Sequence, residues 1–434
     1  MKGGKTVLVA VNGRRNGEIV ARLLAKQGHR CLTAAVILDP GREEPDQIFT
    51  NLGRCFHTDE AALAASEARL KLPFYRINAH HEFLTEVFAP YLGSRLAGRY
   101  FDPCLYCNAL KLRLLAQKAK ELKADAVAVG FNVRLVLDPR TGRNLLSCSD
   151  ALDDQAYFLL KTDPEILPML MAPLGGMRRQ EISKLAQEFG LDQNEEANLA
   201  IQQAAPAAAE TATEVANGTS APEGPVEVPD GGIVPEAEAA TGPQCLDCIL
   251  AGQSSAFCFG QKQFSEILEK KVHRDMFREG VVANPEKQLF LGEHKGIHNY
   301  YYGMRYVPDL LMGKGTVVTV SQIDYFSGQV KVSEKTYPHE VDYIQLSQVV
   351  YNGMEDLSTP CKIAVKLGRA VLKLNATLHF KNNSSAVVRF KFVHHLLIAP
   401  GVLVALLADN GPQSIVLGHG VVESFGKSYQ LKRC

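Results

Sequence analysis

Thr6-Val7-Leu8-Val9-Ala10-Val11 runs without a polar interruption into Asn12-Gly13-Arg14-Arg15-Asn16-Gly17, and Ile19, Val20, Leu23 and Leu24 then recur at helical spacing up to Gly28. A short apolar run followed by a polar turn and a periodic helix reads as a buried strand feeding a helix. The unit repeats. Residues 32–38 form a second strand pattern, 60–70 an Ala-rich helix, 73–77 a strand, 81–97 a helix ending near Gly98, 108–122 a long helix and 126–129 another apolar run. Alternating strands and helices of this kind predict an α/β fold with a parallel sheet covered on both faces. Ligands on such sheets bind at the carboxyl ends of the strands, which directs attention to residues 12–17.

Residues 193–243 break this pattern with Ala, Pro, Glu, Gly and Thr, without an aromatic residue or a positive charge, and read as a disordered acidic insert. Beyond about residue 270 short strands separated by turn signals dominate, at 315–320, 328–333, 364–380, 385–392 and 414–422. Leu372, Leu374, Ala376, Leu378 and Phe380 alternate with Lys373, Asn375, Thr377 and His379, the pattern of a half-buried strand. A small antiparallel barrel or sandwich is expected there.

At 434 residues the chain suits two or three domains, and 46% hydrophobic with 22% charged residues excludes disorder of the whole. No run of eighteen apolar residues offers a membrane span, and Met1-Lys2-Gly3-Gly4-Lys5 does not read as a secretory signal, so a cytoplasmic location without a membrane partner is expected. Ten cysteines in such a compartment read as reduced, metal-bound or catalytic. The formal charge is zero, but 195–243 holds nine acidic residues, leaving 47 basic against 38 acidic side chains elsewhere. That surplus suits a polyanionic partner.

Four groups of residues could carry chemistry. Asn12, Gly13, Arg14, Arg15, Asn16 and Gly17 place backbone N–H groups and a helix N-terminus where a phosphate could sit; a plain polar turn is the alternative. Cys104-Leu105-Tyr106-Cys107 leads into a basic helix, and a thiolate near a helix N-terminus is a plausible nucleophile, with Cys107 expected near the first turn. The same pair also reads as a metal half-site, a redox dithiol or a structural pair. Cys245-Leu246-Asp247-Cys248 and Cys258 could join Cys104 and Cys107 in a zinc site or an iron–sulfur cluster, although their separation matches no zinc-finger spacing. Lys295 and Arg305 are candidate phosphate contacts, while His294, His298, His394 and His395 read as ordinary core or surface histidines.

In chain order these segments resemble the tRNA-uridine 2-sulfurtransferases, the MnmA/TrmU family of tRNA-specific 2-thiouridylases, over nearly the whole chain apart from the insert. Ala97-Gly98-Arg99, Asp102-Pro103-Cys104-Leu105-Tyr106-Cys107-Asn108 and Lys111 look like the family's AGRTPNPxxxCNxxxKF segment. Ala128-Val129-Gly130 is similar to its ATGHY, and Asp154-Gln155-Ala156-Tyr157-Phe158-Leu159 to its DQSYFL. Pro173-Leu174-Gly175 with Glu181-Ile182 follows, and then Ser255-Ala256-Phe257-Cys258-Phe259-Gly260, similar to STGICFIG. Gly292-Glu293-His294-Lys295-Gly296, Pro400-Gly401 and Gly418-His419-Gly420 complete the order. Differences fall on the nucleotide side: Arg14 and Asn16 replace a glycine and an acidic residue of the family's SGGxDS loop, and Phe131 replaces the histidine of ATGHY.

The resemblance implies an ATP-pyrophosphatase-like, HUP/Rossmann-like catalytic domain at 1–192, resumed at 244–270 after the insert at 193–243. It also implies a small central domain at 271–340 and a β-barrel at 341–434. It implies 2-thiouridine formation at the wobble position of a tRNA. ATP with Mg²⁺ adenylates the uridine, the loop 12–17 and Gly130 hold the nucleotide, and Asp154, Gln155, Lys295 and Arg305 meet the tRNA. A partner protein donates a persulfide sulfur, Cys258 carries it, and Cys107 is the nucleophile, with release through a disulfide bond. The alternative is a divergent relative that does not use ATP and serves as a tRNA-binding, sulfur-carrying, or iron–sulfur or zinc protein.

Overall fold

The computed structural model describes residues 4–38, 60–138, 142, 144–149, 154–191, 269, 272–304, 318–335, 337–352, 358–368 and 372–428. Five parallel strands make the first sheet, β1 (Thr6–Ala10), β2 (Arg30–Ile37), β3 (Phe74–Asn78), β4 (Ala126–Ala128) and β7 (Leu170–Met171), in the order β3-β2-β1-β4-β7. Strand order reverses direction between β1 and β4, so a crevice opens at their carboxyl ends. Alternation on β1 sends Leu8 to one face and Val7 and Val9 to the other. Helix α1 (Arg15–Lys26) packs Ile19, Val20 and Leu24 onto the second face, together with Ile182 and Ala186 of a later helix. On α1, fully buried Glu18 accepts two hydrogen bonds from Arg69 of α2 (Glu60–Leu70), at 2.5 and 2.9 Å. Gly28, with φ +85°, ends α1 as a left-handed residue.

The helix expected at 81–97 is present as α3 (His80–Phe83) and α4 (Ala89–Leu96) joined by a π-helical turn (Leu84–Phe88). The long helix begins five residues earlier than expected: α5 spans Pro103–Glu121, with Asp102 capping it and proline in the first position, where its missing N–H costs nothing. Helix α6 (Arg179–Glu188) completes this layer.

A hairpin inside the expected catalytic domain, β5 (Arg134–Leu137) and β6 (Asn144–Ser149), belongs instead to the C-terminal sheet, because β6 pairs with β17 (Gln413–Gly426). The central unit is a four-stranded sheet of β8 (Gly280–Asn284), β9 (Leu289–His294), β10 (Thr319–Asp324) and β11 (Gln329–Ser333). The single strand expected over 364–380 is two strands, β13 (Cys361–Leu367) and β14 (Lys373–Asn382), with Gly368 at φ +54° between them. With β12 (His339–Tyr351), β15 (Ser385–Leu396) and β16 (Leu403–Leu407), they form an antiparallel barrel that β12–β17 pairing closes. Barrel, rather than sandwich, is the observed form.

Three contacts lock these units together just ahead of α5. Gly98 (φ +63°) lies so near Ile323 that an added Cβ would come within 2.6 Å of its Cγ2. The Arg95 guanidinium donates to the His298 carbonyl at 2.6 Å, and the Tyr100 N–H donates to the Pro400 carbonyl at 3.2 Å. Gly401 (φ +99°) presses on Tyr100, whose carbonyl oxygen a side chain at 401 would strike. Gly401→Ala therefore combines a strained backbone with a clash and should destabilise the chain by about 2 kcal/mol, read as a lower denaturant midpoint.

His298 is 1% exposed, stacks on Phe277 at 4.3 Å, and neither of its ring nitrogens has a hydrogen-bond partner. Burial, reinforced by Arg95 and His294, pushes its pKa down to about 4. The unfolded chain takes up this proton near its ordinary pKa of about 6.5 and the folded chain only near 4, so stability is full above that range and falls as pH drops through it. His298→Phe sacrifices no hydrogen bond and should flatten this loss, seen as a smaller fall in Tm between about pH 7 and about pH 5. An unchanged fall would assign the acid sensitivity to other groups.

Candidate functional site

The loop after β1 is an Asx turn, with the Asn12 Oδ1 accepting the Arg14 N–H at 3.2 Å. Gly13 has φ +78° and packs against Ala62, and a side chain at Gly17 would come within 2.8 Å of the Ala10 carbonyl oxygen. Arg14 caps α1 in an extended conformation without a side-chain hydrogen bond to the helix, so its first N–H groups are not closed off by their own cap. Asn16 is 6% exposed; its Nδ2 donates to the Gly130 carbonyl at 3.3 Å, and its Oδ1 is buried without a hydrogen-bond partner. This ties the loop to the end of β4, across the point where strand order reverses. Arg15 is buried rather than displayed at the surface.

A cleft open to solvent lies at this point. Val36 and Val129 give it apolar walls, Asn12, Gly17 and Gly130 its floor, and Lys111 one buried ammonium. An apolar slot beside a helix N-terminus and a lysine fits the base and phosphates of a nucleotide. Among the described residues the cleft lining includes no carboxylate.

Helix α5 forms one wall of the cleft through Lys111, Leu112 and Leu115. Cys107 sits four residues before Lys111, hence one turn away on the same helix face. It is half-buried and stands in the second turn rather than the first. First-turn Cys104 is 6% exposed and receives the cap, its N–H donating to the Asp102 Oδ1 at 3.2 Å. Between the cysteines, Tyr106 stacks on Phe101 at 4.4 Å and carries the Lys161 ammonium over its ring at 5.5 Å. Burial lowers the pKa of Lys161. Asn108 anchors the helix by donating to the Phe158 carbonyl at 3.3 Å.

The other expected residues are placed differently. The Asp154 side chain is 4% exposed and pairs with Lys366 of the barrel at 3.5 Å. Gln155 accepts the Asn132 N–H at 2.6 Å and fixes the turn beyond Gly130. Lys295 is exposed on the central unit beside His294, which bonds the Gly328 carbonyl at 2.9 Å and whose pKa burial lowers. Arg305, Cys245, Cys248 and Cys258 lie outside the described residues. Among the described residues no cysteine is in a disulfide, and no group of three or more His, Cys, Asp or Glu could hold a metal. Cys148 is fully buried, and its thiol is pushed up to about 12 by burial and by Asp154.

Sequence reasoning missed Lys161 and Lys366. Neither stands in a local pattern that marks it; both act through residues distant in the chain. Lys111, which the sequence places one turn beyond Cys107, is buried at the cleft.

Residues 5–199 match the family described as the tRNA methyl transferase HUP domain. The tRNA-specific 2-thiouridylase MnmA of Geotalea uraniireducens is 34% identical over 193 residues, covering 43% of this chain and 50% of the relative. That of Thermus thermophilus is 34% identical over 193 residues, covering 43% and 51%. That of Chlamydia trachomatis serovar D is 33% identical over 189 residues, covering 43% and 50%. The chain thus spans about half the length of the curated relatives it matches. Through this N-terminal region, with its parallel sheet and cysteine helix, the chain is similar to the tRNA-specific 2-thiouridylases.

Proposed function

We propose that the chain is a tRNA-uridine 2-sulfurtransferase that forms 2-thiouridine at the wobble position. The observation that carries this is that the helix bearing Cys107 also lines the cleft, through Lys111 one turn further on. In this reading the cleft takes ATP, with the base against Val36 and Val129 and the phosphates toward the α1 N-terminus and Lys111. The nucleotide supplies a leaving group at the uridine O2, and sulfur then replaces that group at C2. A partner protein loads Cys258 with the persulfide sulfur. Once the sulfur is bonded to C2, the Cys107 thiolate attacks Cys258, frees the thiouridine and leaves a Cys107–Cys258 disulfide. Lys295 and Arg305 would meet tRNA phosphates, supported by the basic surplus outside the insert. A cytoplasmic setting fits this work, and no helix among the described residues is long and apolar enough to cross a membrane.

Cys107→Ser and Cys258→Ser should each abolish thiolation of unmodified tRNA while tRNA affinity changes less than about threefold, since neither thiol neutralises a phosphate. Full activity in either variant would overturn the two-cysteine reading.

Arg14 and Asn16, where the family's loop has a glycine and an acidic residue, favour a second reading, a relative that binds tRNA and carries sulfur without ATP. Calorimetry with ATP, Mg²⁺ and unmodified tRNA separates the two. The enzyme reading expects micromolar binding, about −8 kcal/mol. No heat of binding, with or without tRNA, would select the second reading.

A further inference from the structure

From residue 357 to residue 408 the chain carries seven Lys and Arg side chains and no Asp or Glu. This acid-free stretch builds β13, β14 and β15, three of the barrel strands. Resting on the tRNA reading above, we infer that the outer face of these strands is an RNA-binding surface, with cations for the phosphates and the Phe392 ring for an unpaired base.

Strand alternation decides which cations are available. Ile363 and Val365 on β13, Leu378 on β14, and Val388 and Phe390 on β15 turn into the barrel core. Residues of the opposite parity therefore point outward. Where this outer face meets Cys148 and Asp154 its lysines are taken up internally: Lys366 pairs with Asp154 at 3.5 Å, and Lys373 donates to the carbonyls of Cys148 and Gly411. Elsewhere on these strands Lys362, Lys381, Arg389 and Lys391 are exposed. Lys362 stands opposite Thr377 of β14, and Thr377 opposite Arg389 of β15, so Lys362 and Arg389 share one row. Two strand spacings put their Cα atoms about 10 Å apart.

None of these four cations has a carboxylate partner among the described residues. Lys381 donates to the Gln345 Oε1 at 2.9 Å, Arg389 donates to the Ser428 Oγ at 3.4 Å, and the Lys391 ammonium lies 5.3 Å from the centre of the Phe392 ring. Glu423 of β17 is held by the same Gln345, at 2.7 Å. Cations fixed on a sheet without compensating carboxylates attract a polyanion.

The aromatic part comes from an irregularity in β15. Between the pairs Val341–His394 and Tyr343–Arg389, residues 390–393 stand opposite Asp342 alone. A bulge of this kind re-aims side chains. Phe390 stays in the core, edge-on to His394 with ring centres 5.0 Å apart, and pins the bulge. Lys391, Phe392 and Val393 are turned to solvent, and Phe392 is 67% exposed. Single-stranded RNA is gripped by this combination, cations along its backbone and an aromatic face on which a base stacks. The ring favours RNA over an acidic protein, because every base has a face to stack and a carboxylate has none.

Binding of an unmodified tRNA to the full chain, measured over a range of salt concentrations, tests this. Changing Lys362, Arg389 and Lys391 together to Gln should lower affinity roughly tenfold and reduce the slope of log affinity against log salt by about 2, as three lost phosphate contacts on a single strand require. A control with Lys26, Lys120 and Lys184 changed to Gln removes the same charge from exposed positions on the helices of the parallel sheet, and should stay within about twofold of wild type. Phe392→Ala should weaken tRNA binding about tenfold, leave a blunt RNA duplex unaffected, and be rescued by Phe392→Trp. All these side chains are exposed, and an unchanged Tm checks that each variant is folded. Wild-type tRNA affinity in either the triple variant or Phe392→Ala would overturn the inference, as would an equal loss in the control. Intact tRNA binding with sulfur supply from the persulfide donor protein lost would overturn it too, giving the face to a protein. A wild-type chain that binds no tRNA would instead overturn the tRNA reading, and this surface with it.

Discussion

Backbone contact at Gly98, Tyr100 and Gly401 is the constraint on which the site depends. Within four residues ahead of the Asp102 cap the chain touches the central unit at Ile323 and the barrel at Pro400 and Gly401. No side chain fits at Gly98 or Gly401 without displacing one of these partners. The start of α5, and with it the position of both cysteines, is therefore set by three units at once. This explains why glycines far apart in the chain belong to one arrangement. Each marks a place where backbone must approach another element more closely than a Cβ permits.

The parallel sheet places the other half of the site. Because β1 pairs with β2 on one side and β4 on the other, its carboxyl end is where helices diverge to opposite faces. Helix α1 leaves this point toward one face while α5 crosses the other, presenting Lys111, Leu112 and Leu115 to the same cleft. The cleft lining and a cysteine pair thus share a single helix. A shift of α5 along its axis would move both, so whatever fixes its N-terminal cap also fixes the spacing between them.

Much of this was legible in the residues. The buried strands of the first sheet are short apolar runs, and the helices between them carry strong periodicity, so both survived reading without knowledge of their neighbours. Misreadings came where local pattern and tertiary structure part. Apolar spacing in α5 is regular only from Asn108, but Asp102 and Pro103 carry the cap and first-position signals that start it earlier. Residues 364–380 read as one strand because the turn residue Gly368 is followed, from Leu372 on, by alternating residues. The hairpin of β5 and β6 carries no sign of its allegiance, since its partner β17 lies more than 250 residues further on.

Asp154 shows how the surroundings of a motif set what its side chains touch. Lys366 and Lys373 are each 5% exposed, and a buried ammonium is tolerable only with close acceptors. Lys366 finds Asp154 at 3.5 Å, and Lys373 donates to the carbonyls of Gly411 at 2.6 Å and Cys148 at 3.4 Å. Removing Asp154 would leave Lys366 buried without that charge partner, so the carboxylate is bound to the barrel as firmly as the lysine is to it. Gln155 meanwhile bonds Asn132, whose own side chain accepts the Gly176 N–H at 3.1 Å, and so holds the turn that carries Gly130. The pair acts as a positioning device: Asp154 joins barrel to sheet, and Gln155 sets the lip of the cleft.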